Sequence, residues 1–376
     1  MQTGPDVPPL EVFTKQPLGG IDRKTLAARL ASEGPRVAAE DLALARGRAI
    51  STGLALPEGH AVLLLGGSGG ILRALAIQLL FGERVPVYAV HYDSEKLQIG
   101  GHHARAMSEA AVESGVTAAF FNRDATRPET ITEVVSALAG KHRVVHLVNG
   151  IAAGATKRFA KHGKTQVMDL DVAFDPVRQV ADFSSPESLR RLGLVDVEIA
   201  SEADVERTYK FMGHSTTPWA EALAAAGLLV RGESLVSFAD YEYEPDDPVY
   251  AMGPLAEAKV LQRAAMADLA ARFGVRAVRL RYPAMNTTAI SAIPGGLLMY
   301  AGTAEVLLRR GEYRGILELA RATMPVFAPS FREASCDLDA AYQRALPAFH
   351  ELQHGLHPDH ASLVKSFATM IGSDRL

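Results

Sequence analysis

Ala61-Val-Leu-Leu-Leu65, running directly into Gly66-Gly67-Ser68-Gly69-Gly70, is the stretch that decides the fold. Five apolar residues without a polar break read as a strand buried on both faces, as in a parallel sheet. The glycines after it permit a tight turn and close backbone approach, and Ile71 to Phe81 then reads as a helix. Strand, glycine turn and helix together form a seat for a dinucleotide pyrophosphate, held by amides at the helix N-terminus. Two other readings use the same residues. One is a tight turn with no ligand. The other is a nucleophile elbow, since Gly66-Gly67-Ser68-Gly69-Gly70 formally satisfies G-x-S-x-G between a strand and a helix.

Working outward, further apolar strand candidates are Val85 to Val90, Ala118 to Phe121, Arg143 to Val148, Leu235 to Phe238 and Val275 to Leu280. Helical periodicity marks Arg23 to Glu33, Ala38 to Ser51, Arg105 to Ser114, Glu129 to Ala139, Glu202 to Met212 and Ala256 to Phe273. Strands alternating with helices predict an α/β fold, a doubly wound parallel sheet with helices on both faces. Residues 1–58 read as an N-terminal extension with two helices, 59–325 as the core and 326–376 as a C-terminal helical segment, all in one domain. The stretch from Gly154 to Ile199 is less regular and is expected to extend over the active-site end of the sheet.

Asp93, just past the second strand, is placed to accept from a ribose 2′-hydroxyl, which favours NADH over NADPH because a carboxylate repels a 2′-phosphate. Tyr250 and Lys259, eight residues apart, fall on roughly one face of a helix entered near Tyr250. A tyrosine can give a proton to a developing enolate or alkoxide, and a nearby cation makes it the stronger acid. The lysine can also bind a nicotinamide ribose. The downstream Tyr/Lys pair and Thr287-Thr288 favour the cofactor reading of the glycine turn over the nucleophile elbow.

Over most of residues 60–325 the chain resembles the trans-2-enoyl-CoA reductases and the enoyl-acyl-carrier-protein reductases of the FabV type. The likeness rests on the glycine turn, Asp93, Gly100-Gly-His-His-Ala104, Phe211-Met-Gly213, Trp219 to Gly227 and Tyr250 to Lys259. Most specific are Asn286-Thr-Thr-Ala-Ile-Ser-Ala-Ile-Pro294 and Gly311-Glu-Tyr-Arg-Gly-Ile316. The resemblance implies a Rossmann-type, enlarged short-chain reductase fold. It also implies hydride transfer from NADH to the β-carbon of an enoyl thioester, carried by CoA or by acyl carrier protein, with protonation at the α-carbon. In that frame Tyr250, Lys259 and Asp240 are catalytic. Gly66, Gly67, Ser68, Gly69, Gly70, Ile71, Asp93, Asp124, Asn149, Gly150, Lys259, Thr287 and Thr288 bind the cofactor, with Asp124 at the adenine. His103, Tyr241, Ile290 and Met299 border the substrate.

The chain departs from the family's pattern at three places. Leu72 takes the last glycine position of G-x-x-x-G-x-G. Asp240 falls where the family has a second active-site tyrosine, and His103 where it has another. Two alternatives therefore stay open: carbonyl reduction with Asp240 reshaping the site, and a protein that binds nucleotide without turnover.

A formal charge of −4 over 376 residues gives no electrostatic footprint for nucleic acid. The single cysteine, Cys336, excludes an internal disulfide and cysteine-based metal sites, and fits a reducing cytoplasm. No signal peptide and no membrane span of roughly 20 apolar residues are expected, nor any oligomer beyond a monomer or small homo-oligomer. His350-Glu351-Leu-Gln-His354, followed by His357 and His360, contains H-E-x-x-H. Pro358 breaks the helix that such a zinc site needs, so we read a polar, histidine-rich helix end and expect no metal.

Overall fold

β1 (His60–Leu65) is buried along its whole length because it lies in the middle of a seven-stranded sheet. Its side chains alternate between two cores, Val62 and Leu64 entering one and Ala61, Leu63 and Leu65 the other. The computed structural model describes residues 10–15, 20–93, 97 and 100–354. The remaining strands in chain order are β2 (Val87–His91), β3 (Ala118–Asn122), β4 (Val144–Asn149), β5 (Thr165–Val172), β6 (Phe174–Asp175), β7 (Val180–Ala181), β8 (Leu189–Val197), β9 (Leu235–Asp240), β10 (Arg276–Arg281) and β11 (Ser335–Asp337). The helices are α1 (Arg23–Arg48), α2 (Gly70–Ile77), α3 (Gly101–Glu113), α4 (Pro128–Leu138), α5 (Glu202–Thr208), α6 (Thr216–Ala225), α7 (Pro254–Phe273), α8 (Thr288–Ala292), α9 (Gly296–Arg310), α10 (Ile316–Thr323) and α11 (Ala340–His354).

The large sheet runs β11-β10-β9-β4-β1-β2-β3, with every neighbouring pair parallel. Helices α1, α2, α3 and α10 cover one face, and α4, α6 and α7 the other. This is the doubly wound architecture expected from the alternation of elements. Strand order reverses between β1 and β4, and an open α/β sheet leaves its crevice at the carboxyl ends around such a point.

Three features differ from the sequence reading. The two expected helices, Arg23 to Glu33 and Ala38 to Ser51, are one, α1, which continues through Pro35 and ends at Arg48. Losing one amide at Pro35 is offset by a single apolar face, Leu26, Leu30, Val37, Ala38, Leu42 and Ala45, that stays buried on both sides of it. Within the stretch from Gly154 to Ile199, β5 and β8 pair antiparallel outside the main sheet. The charge at Asp169 interrupts the apolar alternation, yet Asp169 is fully buried and takes Lys15 at 2.5 Å. The seventh strand, β11, has only three residues and falls in what reads as a helical segment. Strands β5 and β8 pack with α9 and α11 into a third core beyond the sheet's carboxyl ends.

Candidate active site

Gly66 (φ +101°) and Gly70 (φ +52°) take left-handed backbone on either side of Ser68, so the chain can leave β1 and enter α2 within five residues. A Cβ on Gly67 would stand 2.6 Å from the Ala89 side chain on β2, and one on Gly150 would stand 2.6 Å from Leu72. Leu72, in the last glycine position, thus fills the space above Gly150. Gly69 is the N-cap of α2 and makes no side-chain cap, so the first-turn amides of α2 have no hydrogen-bonding side chain at that position. The Thr287 methyl lies 3.5 Å from where a Cβ on Gly70 would be. The fold therefore brings Thr287, the N-cap of α8, onto the turn. A cradle that only glycine fits, opening on a helix N-terminus, suits the pyrophosphate of a dinucleotide.

The other cofactor candidates sit at the ends of β2, β3 and β4 with protein partners of their own. Asp93 Oδ2 accepts from the Gly101 amide at 2.6 Å and so caps α3. Asp124 Oδ1 accepts from the Thr126 amide and hydroxyl at 2.8 and 2.7 Å. Asn149 is a brace: its amide group donates to Ser215 Oγ and Thr216 Oγ1, both at 2.8 Å, and its oxygen accepts from the Ile151 amide. Thr288 Oγ1 donates to the Gln179 carbonyl at 3.2 Å. Ile71 is buried at the start of α2.

Tyr250 precedes α7 by four residues, in a turn rather than in the helix. Asp247 holds that turn, accepting from the amides of Val249 at 2.9 Å and Tyr250 at 2.6 Å. The Tyr250 ring packs on Tyr241 at 4.9 Å between centroids and stacks on Tyr243 at 5.7 Å. The Tyr241 hydroxyl meets Tyr342 Oη at 2.8 Å and Met299 Sδ at 3.2 Å. Burial, reinforced by Tyr241, Asp247 and Asp240, pushes the Tyr250 phenol well above its usual value, so it keeps its proton at neutral pH. Ile290 is buried in the same third core that Tyr241, Tyr250 and Met299 pack against.

Lys259 and Asp240 form a separate cluster. The Lys259 ammonium donates to the Ala239 carbonyl at 2.7 Å and lies 3.7 Å from Asp240 Oδ1. Asp240, its side chain fully buried, also pairs with Arg263 at 3.3 Å and with Arg279. Burial pushes the Asp240 carboxyl up, but Lys259, Arg279 and Arg263 outweigh it and hold the group below the usual carboxylate range. Burial pulls Lys259 down against the attraction of Asp240. No hydrogen bond or ion pair among the described residues joins Lys259 to Tyr250.

The structure does not bring His103 to the tyrosines. It is buried between α1, α2 and α3, beside Asp41, Arg73 and Met107, where its Nε2–H donates to the Val177 carbonyl at 3.1 Å. Burial keeps it neutral. His350 Nε2 meets Glu244 at 2.8 Å. The side chain of His354, and His357 and His360 entirely, lie outside the described residues. Among the described residues no cluster of three or more His, Cys, Asp or Glu is arranged to hold a metal.

Sequence reasoning missed Tyr342, which α11 delivers to Tyr241 from 101 positions away. It also missed Arg263 and Arg279, although an arginine inside the apolar alternation Arg276-Ala-Val-Arg-Leu-Arg281 signals a buried counter-charge.

Residues 98–323 match the model of the trans-2-enoyl-CoA reductase catalytic region. The chain belongs to that family. Within this reductase family, it is 26% identical over 267 residues to the NADH enoyl-[acyl-carrier-protein] reductase 1 of Vibrio vulnificus, and 28% identical over 267 residues to the corresponding Burkholderia thailandensis enzyme. Each match covers 68% of this chain and 66% of the relative, just under two thirds of the relatives' own length. Among solved structures, trans-2-enoyl-CoA reductase from Clostridium acetobutulicum in complex with NADH superposes with a TM-score of 0.75 at 18% identity, over 90% of this chain and 91% of that one. The Treponema denticola trans-2-enoyl-CoA reductase in complex with NAD gives 0.68 at 18%, over 98% and 95%. A short-chain dehydrogenase/reductase from Serratia marcescens gives 0.51 at 14% identity, aligning over 96% of itself but only 74% of this chain. The fold is thus a short-chain reductase sheet, enlarged.

Proposed function

We propose that the protein reduces the 2,3-double bond of an enoyl thioester, carried by CoA or by acyl carrier protein, with NADH. The observation that carries this is a half-buried Tyr250, its phenol protonated, held against Tyr241 at the same end of the sheet as the glycine turn. Family membership and the reductases it resembles support the substrate class and the cofactor.

Bound NADH supplies the hydride, delivered to the β-carbon of the enoyl group. Gly66, Gly67, Ser68, Gly69, Gly70 and Ile71 present their backbone to the pyrophosphate, with Gly150 and Thr287 bordering the glycine turn and Thr288 tied to the turn between β6 and β7. Asp93 and Asp124 stand at the ribose and adenine end, where the Asp93 charge disfavours a 2′-phosphate. Asn149 braces β4 behind the site. Tyr250 donates a hydrogen bond to the thioester oxygen as negative charge grows there, and its proton serves the α-carbon. Tyr241, Met299 and Ile290 form the apolar wall for the acyl chain. Asp240 acts as a positioning residue that fixes Lys259. The carbonyl-reduction alternative has Asp240 reshaping the site; its pairing with Lys259, Arg263 and Arg279 favours the enoyl reading over it. No helix of the described residues is long and apolar enough to cross a membrane. We assign the enzyme to the cytoplasm on its lone cysteine.

The test is NADH oxidation with crotonyl-CoA and a longer enoyl-CoA, comparing wild type with Tyr250→Phe. Turnover that the variant loses supports the reading. Wild type that binds NADH but turns over neither thioester overturns it.

A further inference from the structure

Two non-glycine residues of the described chain hold left-handed backbone, Arg84 (φ +57°) and Gln179 (φ +65°). Arg84 is exposed in the turn before β2, where such a conformation meets little resistance. Gln179 is half-buried at the end of the turn that joins β6 to β7. A side chain with a Cβ resists this conformation, and it persists only where the surroundings over-determine it.

The surroundings here do so from several directions. The Gln179 amide donates to the Asp175 carbonyl at 2.9 Å, closing the turn. Its own carbonyl accepts from Thr288 Oγ1 at 3.2 Å. Arg178, next to it, pairs with Asp175 at 3.0 Å and with Asp41 of α1 at 3.2 Å. Two residues on, Ala181 exchanges both backbone bonds with the Asn286 carboxamide, at 2.9 and 2.8 Å. The turn is therefore fastened to α1, to α8 and to the loop after β10 at once.

What all this fastening positions is the Gln179 carboxamide. Its oxygen lies 2.9 Å from where a Cβ on Gly69 would stand. Gly69 is the N-cap of α2 and supplies no side-chain cap. A polar group from a turn 110 residues downstream is thus laid against the backbone face that the pyrophosphate needs.

We infer that Gln179 is a cofactor-binding residue whose carboxamide donates a hydrogen bond to the dinucleotide pyrophosphate. The inference rests on the dinucleotide reading of the glycine turn and adds a residue to it. A carboxamide suits the position because it carries an acceptor and two donors and can present either edge by rotating about its last torsion. Its oxygen lies against Gly69, and rotation about that torsion turns the N–H₂ edge to the same place, where an anion can accept from it. Being uncharged, it adds a donor without drawing the phosphates away from the helix N-terminus.

The experiment is calorimetric titration of wild type, Gln179→Ala, Gln179→Gly and Gln179→Glu with NADH and with ADP-ribose, which keeps the pyrophosphate and lacks the nicotinamide. A hydrogen bond to a charged group predicts that the alanine and glycine variants lose about tenfold in affinity for both ligands. The glutamate variant, which sets a carboxylate against phosphate, loses more. The glycine variant relieves the left-handed strain, so its thermal midpoint holds or rises while its affinity falls, which separates a binding role from a folding role. Wild-type affinity in the glycine and glutamate variants, or tighter binding in either, overturns the inference and leaves the cofactor reading standing. A wild type that binds neither ligand overturns both.

Discussion

The Asp240 carboxylate and the Lys259 ammonium stand 3.7 Å apart at the carboxyl end of β9, with the Asp240 side chain fully buried. Two further cations, Arg263 and Arg279, press on the same carboxylate, and Arg279 is shared with Glu242 at 2.7 Å. Asp240 is thus the common partner of three cations where β9, β10 and α7 meet, with Glu242 as a second anion on Arg279. The carboxylate is committed to ion pairs, while Tyr241, one residue on, turns its ring to Tyr250 at 4.9 Å between centroids.

Removing the anion should be costly. Asp240→Ala leaves Lys259, Arg263 and Arg279 without their common partner, and breaking a buried pair in this way costs about 3–5 kcal/mol. Urea unfolding at neutral pH reads the loss. The pH dependence has a definite sign. The folded carboxyl lies below the ordinary 3.8, so its contribution is present above that value and is lost as pH falls through the lower folded one. Asp240→Asn should therefore unfold with a shallower acid dependence than wild type below about pH 4. Equal acid sensitivity of the two proteins would mean that the cluster contributes nothing to stability.

Tyr250→Phe keeps the ring stacked on Tyr241 and Tyr243 and removes only the hydroxyl. Loss of a general acid lowers kcat by roughly 10²–10⁴, with NADH affinity unchanged. Because the phenol lies well above its ordinary value of 10.0, wild-type activity should show no alkaline limb from this group between pH 7 and pH 10. An alkaline limb near neutrality that disappears in Tyr250→Phe would contradict a protonated, unaided tyrosine.

Most of the sheet was legible because a parallel core writes itself as apolar runs: five of the seven strands of the main sheet carry one, and β10 shows as apolar residues among arginines. The glycine turn was legible because its backbone demands glycine. The partners of the site residues were not. Sequence spacing set Lys259 beside Tyr250 on one helix, but α7 begins only at Pro254, and the buried Asp240 attracts the ammonium toward β9. Likewise His103 falls at a plausible position in the sequence, yet α3 turns it towards α1, where burial makes it a neutral core group. A one-dimensional pattern gives the order of groups along the chain. It does not give which face each element turns towards a partner on another element.

At the opposite end of the sheet, His146 is held at the centre of a fixed proton arrangement. Its Nδ1 accepts from the Leu235 amide at 3.2 Å, and its Nε2 lies 3.1 Å from His60 Nδ1. Burial, then His60 and Arg276, lower the His146 pKa from 6.5 to about 3. The unfolded chain takes up this proton below pH 6.5 and the folded one does not, so the stabilisation is complete above pH 6.5 and declines on acidification. The contribution is about 1.4 kcal/mol per pH unit over that window. His146→Gln, with the amide oxygen still able to accept from Leu235, should flatten the dependence between pH 6 and pH 4. An unchanged slope would show that other groups govern the acid response.

The last prediction concerns the acyl wall. Met299 places its sulfur 3.2 Å from the Tyr241 hydroxyl, and Tyr241 in turn leans on Tyr250. On the proposed function, an acyl chain whose thioester oxygen faces Tyr250 would run next to Tyr241 and then to Met299, a side chain flexible enough to line a space of variable length. Met299→Ala opens that space by three heavy atoms while leaving the tyrosines in place. Short enoyl thioesters such as crotonyl-CoA end before the gap, so their kcat/KM should change little. Longer chains gain room for methylenes, each worth about 0.8 kcal/mol when buried, or roughly fourfold in affinity. The ratio of kcat/KM for a long over a short enoyl-CoA should accordingly rise in Met299→Ala. A ratio that stays at its wild-type value would place the acyl chain along a different wall of the third core, with Ile290 rather than Met299 as its boundary.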